Sequence, residues 1–176
     1  MLSDLPSSLP TSELIKQQSR FGRSVKRTGD LILSLVALLA GFPLFLALAL
    51  LIKLTSKGPV FYVQRRVGRG YQSFGCIKFR TMRVDAENVL SQLLASSPSM
   101  QAEFQRDFKL RHDPRITPIG RFLRRSSLDE LPQFVNVLLG EMSVVGPRPI
   151  VNQELERYGD FMDEILSVRP GLTGLW

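Results

Sequence analysis

Two adjacent carboxylates, Asp129 and Glu130, stand in the segment Ser126-Ser127-Leu128-Asp129-Glu130-Leu131-Pro132-Gln133. Arg124 and Arg125 lie just upstream and Gly146-Pro147-Arg148-Pro149 downstream. Acid beside clustered arginine suits phosphate chemistry, because the cations balance phosphoryl oxygens while a carboxylate can attack phosphorus. The apolar spacing predicts an amphipathic helix that starts close to Asp129. Its first backbone N–H groups and positive dipole end favour an anion there and keep an aspartate ionised. Asp129 is therefore the candidate nucleophile. Neighbouring residues on a helix point about 100° apart, so the two carboxylates take different roles, one attacking while Glu130 holds a metal. A structural alternative uses the same residues, since Ser127 followed three positions later by Glu130 also fits a capping box.

The elements around the pair follow from periodicity. Leu131, Phe134, Val135, Leu138 and Leu139 recur at helical spacing and are expected to face a core, with Pro132 tolerated in the first turn. Arg148 sits between two prolines that fix the backbone on either side, which suits a stiffly presented phosphate ligand; a solvated turn arginine is the alternative. Lys78 and Arg80 alternate on a predicted strand and project from one face, either to grip a second phosphate or as charges guarding an exposed edge. Carboxylates and arginines without a zinc-type ligand set favour Mg²⁺, which binds one or two carboxylates plus substrate phosphate oxygens.

Positioning such a site falls to a chain whose apolar residues are concentrated early. Leu31 to Leu54 carries one charge, Lys53, and its length makes a helix of roughly 36 Å, enough to cross a bilayer core. Some thirty mostly polar residues precede this run, which disfavours a cleavable signal peptide. Basic residues flank both ends, Arg20, Arg23, Lys26 and Arg27 before it and Lys53, Lys57, Arg65, Arg66 and Arg69 after it. A spanning helix would place one cluster outside, against the positive-inside tendency. Pro43, beside Gly41 and Phe42, interrupts helix hydrogen bonding near the middle. The expectation is a membrane break at Pro43, a helix-break-helix that dips into the cytoplasmic leaflet and returns; an ordinary kinked span is the alternative.

The 176-residue chain carries 23 basic and 16 acidic residues, a net charge of +7. That favours anionic lipid or sugar nucleotide as partners. No zinc finger, RNP-like aromatic signature or basic heptad array is present, so no nucleic acid is expected as a partner. A single cysteine, Cys76, and a single histidine, His112, exclude a disulfide framework and a Cys/His metal site within one chain. Residues 1–22 read as a leader, 23–56 as the membrane-associated segment and 57–176 as a cytosolic catalytic domain. In that domain Val60 to Arg66 and Tyr71 to Met82 form a hairpin around Gly68-Arg69-Gly70. Helical patterns cover Asp85–Ala95 and Gln101–Leu110, Ile116, Ile119, Phe122 and Leu123 give a short apolar face, and a last helix covers Val151–Val168. The fold class is α+β, mostly helical: a re-entrant membrane helix-break-helix plus a small cytosolic domain with a short β-hairpin and amphipathic interfacial helices.

The ordered set is more specific than any one motif. The basic flank, the Pro-broken apolar segment, Lys78-Phe79-Arg80-Thr81-Met82, Asp113-Pro114-Arg115-Ile116-Thr117, Ser127 to Gln133, Gly146-Pro147-Arg148-Pro149 and Arg169-Pro170-Gly171-Leu172-Thr173-Gly174 together resemble the bacterial sugar transferases. These are monotopic polyprenyl-phosphate phosphoglycosyl transferases that initiate exopolysaccharide, O-antigen or glycan synthesis. The resemblance implies a re-entrant helix and a ping-pong reaction at the bacterial inner membrane, with the catalytic domain on the cytoplasmic face. Asp129 then takes hexose-1-phosphate from a UDP-sugar, releasing UMP, and undecaprenyl (polyprenyl) phosphate attacks the covalent intermediate. Glu130 matches the family's Mg²⁺-associated glutamate, Arg124 and Arg148 match substrate-phosphate positions, and Lys78 and Arg80 are carried over with them. Family members continue past the Gly-Leu-Thr-Gly segment, whereas this chain ends at Trp176. The alternative is thus a catalytically inactive membrane protein that binds lipid or nucleotide without turnover.

Overall fold

The computed structural model describes residues 20–107, 110–155 and 159–174; the leader lies almost wholly outside them. It is mostly helical with two small sheets. Helix α1 (Arg20–Thr55) is followed by β1 (Phe61–Val67), β2 (Ser73–Phe79), α2 (Ala86–Ser96), α3 (Pro98–Asp107), α4 (Pro118–Arg125), α5 (Gln133–Leu139), β3 (Ser143–Val145), α6 (Met162–Ile165) and β4 (Gly171–Thr173). One hairpin pairs β1 with β2, as the sequence predicts, and β3 pairs with β4. The second pairing is parallel, Ser143 opposite Gly171 and Val145 opposite Thr173.

Helix α1 is assigned continuously through Pro43, so the break expected there is not an end of the helix. Proline removes one hydrogen bond and crowds one carbonyl, which an otherwise unbroken apolar helix can absorb as a bend. The apolar part, within Gly22–Thr55, has a mean hydropathy of 2.8 with only 11% of that window buried. A core helix of a soluble domain would be mostly covered. The length and exposure of this one suit a bilayer.

The chain divides into two compact units. In one, comprising residues 40–64 and 76–133, the core joins Leu48 and Ile52 of α1, Phe79 of β2 and Leu123 of α4, with Phe45, Val60, Ile119, Leu128 and Leu131 packed around them. Phe79 contacts the rings of Phe45 and Phe61 at centroid distances of 5.6 and 5.4 Å. Beyond the end of α1, Arg80 donates to the carbonyls of Lys57 and Ser56 at 2.7 and 2.9 Å.

The other unit holds residues up to Leu39, 65–75 and 134–176. Its apolar cluster is Val67, Ile150, Met162 and Leu166. Asp30 of α1, itself buried, is held by three donors: the Ser143 hydroxyl at 2.8 Å, the Val144 backbone N–H at 3.1 Å and the Lys26 ammonium at 3.3 Å. Such a buried carboxylate is acceptable because its lone pairs are satisfied. The bond set ties α1 to β3, immediately before the Gly146–Pro149 loop.

Several expected elements differ. The continuous helix over Val151–Val168 is absent. In its place are 3₁₀ turns at Asn152–Glu154 and Gly159–Phe161 and the single turn of α6. Gly159 takes a positive φ of 49°, a conformation that ends helical propagation; residues 156–158 lie outside the described set. Within α5 the buried face is Gln133, Asn136 and Val137, while Leu139 is 66% exposed. The helix starts four residues later than expected, and Phe134, Val135 and Leu138 are only half-buried. Phe122 of α4 likewise points outward.

Candidate active site

The acidic pair does not open an α-helix. Leu128–Glu130 forms a 3₁₀ turn, and α5 starts only at Gln133. Ser127 enters the turn in the left-handed region at φ 55° and makes no side-chain cap, so the capping-box alternative is not formed. Without α-helical N–H groups aimed at it, Asp129 lacks the dipole stabilisation expected from sequence. Burial leaves the residue 8% exposed and pushes its carboxyl above the ordinary carboxylate value. Lys78 opposes that shift, Glu130 adds to it, and Arg124 opposes it. This corrects the expectation of an aspartate held in its ionised form by the helix end.

Leu128 and Leu131 flank the pair and pack on the cluster that holds Leu48 and Ile52 of α1. The turn thus shares one apolar core with residues of α1, β2 and α4, and its two acidic residues stand in sequence between the two leucines. Among the described residues no side chain donates a hydrogen bond to Asp129.

Lys78, on β2, donates to Glu130 Oε1 at 2.6 Å. Arg124, in the last turn of α4, donates through Nε to the Thr81 hydroxyl at 2.9 Å. Burial lowers the Arg124 pKa, the nearby carboxylates of Asp129 and Asp113 raise it, and Arg115 lowers it. Arg124 therefore lies in the field of Asp129 while a neutral partner, Thr81, orients its guanidinium.

Thr81 has a second role. Its carbonyl accepts from the Thr117 backbone N–H at 3.0 Å, and Thr117 caps α4 by accepting from Gly120 N–H at 3.0 Å, with Pro118 at the first helical position. That is a favourable helix start. Asp113 and Arg115 brace the same segment with two guanidinium bonds of 2.8 and 2.6 Å between buried residues. Spacing alone assigns no role to Thr81 or to the Asp113–Thr117 segment. The Asp-x-Arg spacing was a signal for a local ion pair, whereas the contact of Thr81 with α4 joins residues far apart in sequence.

Asp113→Asn tests this brace. Burial raises the Asp113 pKa, but hydrogen bonds from the Arg115 side chain and backbone and the charges of Arg115 and Arg124 outweigh it, so the carboxyl lies below its ordinary 3.8. A depressed folded-state pKa contributes stability that is present above 3.8 and lost as pH falls through the folded value. The variant should lose about 2 kcal/mol at neutral pH, a deficit that narrows below pH 3.8 when unfolding is followed by denaturant titration.

The sequence-named residues therefore separate. Asp129, Glu130, Lys78 and Arg124 lie together. Arg80, although near Lys78 in sequence, is buried and spends its terminal nitrogens on Ser56 and Lys57, so it positions the strand end instead of facing a ligand. Arg148 belongs to the other unit, where it is exposed on its proline-flanked loop.

For a divalent cation the donor chemistry fits a hard ion. The pair supplies carboxylate oxygens only, and no group of three or more His, Cys, Asp or Glu is found among the described residues. That pattern excludes an all-protein cage and suits Mg²⁺ held by one or two carboxylates, with phosphate and water completing the shell. Glu130 is the more open carboxylate, with its side chain 40% exposed.

The acidic pair thus lies with Lys78 and Arg124 in the unit whose core includes Leu48 and Ile52 of the long apolar helix. The chain belongs to the bacterial sugar transferase family, whose model matches residues 21–176. It is 51% identical over 166 residues to an undecaprenyl-phosphate galactose phosphotransferase of Salmonella typhimurium, covering 94% of this chain and 34% of that protein. It is 47% identical over 151 residues to the exopolysaccharide production protein ExoY of Sinorhizobium fredii, covering 86% and 67%. With a UDP-glucose:undecaprenyl-phosphate glucose-1-phosphate transferase of Escherichia coli it shares 39% identity over 160 residues, covering 89% and 31%. The chain thus spans about a third of the length of several of these relatives.

Proposed function

We propose that this chain transfers hexose-1-phosphate from a UDP-sugar to polyprenyl phosphate, giving polyprenyl-diphosphate-sugar and UMP, through a covalent phosphosugar on Asp129. The observation that carries the reading is the packing of Leu128 and Leu131, on either side of the acidic pair, on the apolar cluster that includes Leu48 and Ile52 of α1. A water-soluble nucleotide and a membrane-bound phosphate can meet only near the bilayer surface, and an acidic turn that shares its core with residues of the apolar helix suits that meeting. The names of the relatives, with their undecaprenyl-phosphate acceptors and UDP-glucose donor, support the same chemistry.

An Asp129 carboxylate oxygen attacks the phosphorus that bears the sugar. A new O–P bond forms, the bond to the bridging oxygen breaks, and UMP leaves with that oxygen and its electron pair. A phosphate oxygen of the polyprenyl acceptor then attacks the same phosphorus, and the carboxylate departs unchanged. Dividing the transfer in two lets each substrate use the site in turn. Arg124 and Lys78 offset negative charge that builds on the phosphoryl oxygens. Glu130 would hold Mg²⁺, which when bound offsets charge on the diphosphate.

Incubation with a panel of UDP-sugars and Mg²⁺, without lipid acceptor, should leave a phosphosugar adduct visible by intact mass, with one UMP released per chain. No adduct alongside sustained transfer would defeat the covalent step. The same reading places the protein at the inner membrane with α1 re-entrant and both flanks cytoplasmic. Cysteines introduced at Leu5 and Val60 should label from the same side; labelling from opposite sides would establish a span.

A further inference from the structure

Four residues at the start of α1, Arg23, Ser24, Arg27 and Thr28, line an open depression of about 480 Å³. Arg27 donates through Nη2 to the Leu138 carbonyl at 3.3 Å, and Arg169 donates through Nε to the Gly140 carbonyl at 2.7 Å. Two guanidinium groups thus converge just after α5. Those bonds explain one nitrogen of each as a cap on helix-end carbonyls. They leave Arg27 Nη1, which is buried and has no partner, a state normally avoided because a buried unpaired donor is costly.

Charge in this region is also unbalanced. Burial lowers the Arg169 pKa first, and Arg27 and Arg69 lower it further, with Asp30 alone opposing them. Asp30 is already engaged by Lys26, Ser143 and Val144. Arg23 makes no ion pair among the described residues.

We propose that Arg27, with Arg23, Arg169 and the hydroxyl-bearing wall of Ser24 and Thr28, binds a phosphate group, supplied by the headgroup of an anionic phospholipid. Guanidinium nitrogens and hydroxyls are the donors phosphate oxygens take, and one anion answers both the orphaned nitrogen and the cationic excess. Depth selects the source. Residues 23 to 28 precede the uncharged run at Leu31 by roughly 4 to 12 Å along the helix axis, which overlaps the headgroup layer of about 5 to 8 Å on each side of a bilayer core. The site does not rest on the transfer reaction, and a chain without turnover would bind the lipid equally.

The test uses the full chain in neutral detergent, followed by thermal unfolding and by titration with dihexanoyl phosphatidylglycerol below its micelle concentration. A parallel arm uses inorganic phosphate. The lipid is expected to stabilise the protein saturably, with affinity reduced about tenfold or more by Arg27→Met, and also by Arg23→Met, whose exposed side chain is dispensable for folding. Weak binding of inorganic phosphate that competes with the lipid supports the same site. Phosphate binding as tight as the lipid's overturns the lipid as source, and binding that survives both substitutions, or none in either arm, overturns the site.

Discussion

Asp129→Asn is expected to lower UMP release from UDP-sugar by about 10,000-fold or more and to remove the phosphosugar adduct, because the amide presents no carboxylate to attack phosphorus. A loss this large could be mistaken for unfolding, and stability separates the two. The Asp129 carboxyl is pushed up by burial, so its charged form is disfavoured in the folded state. For an acid with a raised folded-state pKa, stability is present at low pH and lost as pH rises from the ordinary 3.8 through the folded value. In buffer free of divalent cations the asparagine variant should therefore be as stable as the parent at neutral pH, or more so, with the gain vanishing below pH 3.8. A dead variant that melts at or above the parent temperature confirms a chemical role. Full retained turnover would end the nucleophile assignment.

Gly120→Ala should give the largest loss of stability, at or above about 3 kcal/mol. A Cβ at this position would overlap the carbonyl carbon, carbonyl oxygen and Cα of Thr81. Those are backbone atoms, held by the Thr117 N–H bond, and they cannot swing away as a side-chain tip would. Relief requires α4 to part from the strand end, which separates Arg124 from the Thr81 hydroxyl. Activity should fall together with the denaturation midpoint, and Arg124→Met should reproduce the catalytic loss with a smaller stability loss. An alanine variant of parental stability would show that the close approach is not maintained.

The apolar helix and the hairpin were legible because each is a local pattern: one long run without charge, and two β-biased runs around Gly68-Arg69-Gly70. The carboxylate pair was legible for the same reason. Its backbone was not. Leucine and phenylalanine spacing alone was consistent with a helix from Asp129, but Pro132 and the burial of Gln133 and Asn136, whose side-chain amide donates to Gly75 O at 2.7 Å, move the start and turn the stripe. Polar residues at core positions carry no hydrophobic signal. The β3–β4 pairing and the Thr81–Arg124 bond join segments distant in sequence, where one chain's periodicity is silent. Arg80 shows the converse limit, since strand alternation fixed its face without revealing that carbonyls beyond α1 would claim it.

Leu128 and Leu131 give the acidic turn one core in common with Leu48 and Ile52 of the long apolar helix. On the proposed reaction, the lipid layer that receives this helix would serve as a depth gauge for the attacking oxygen.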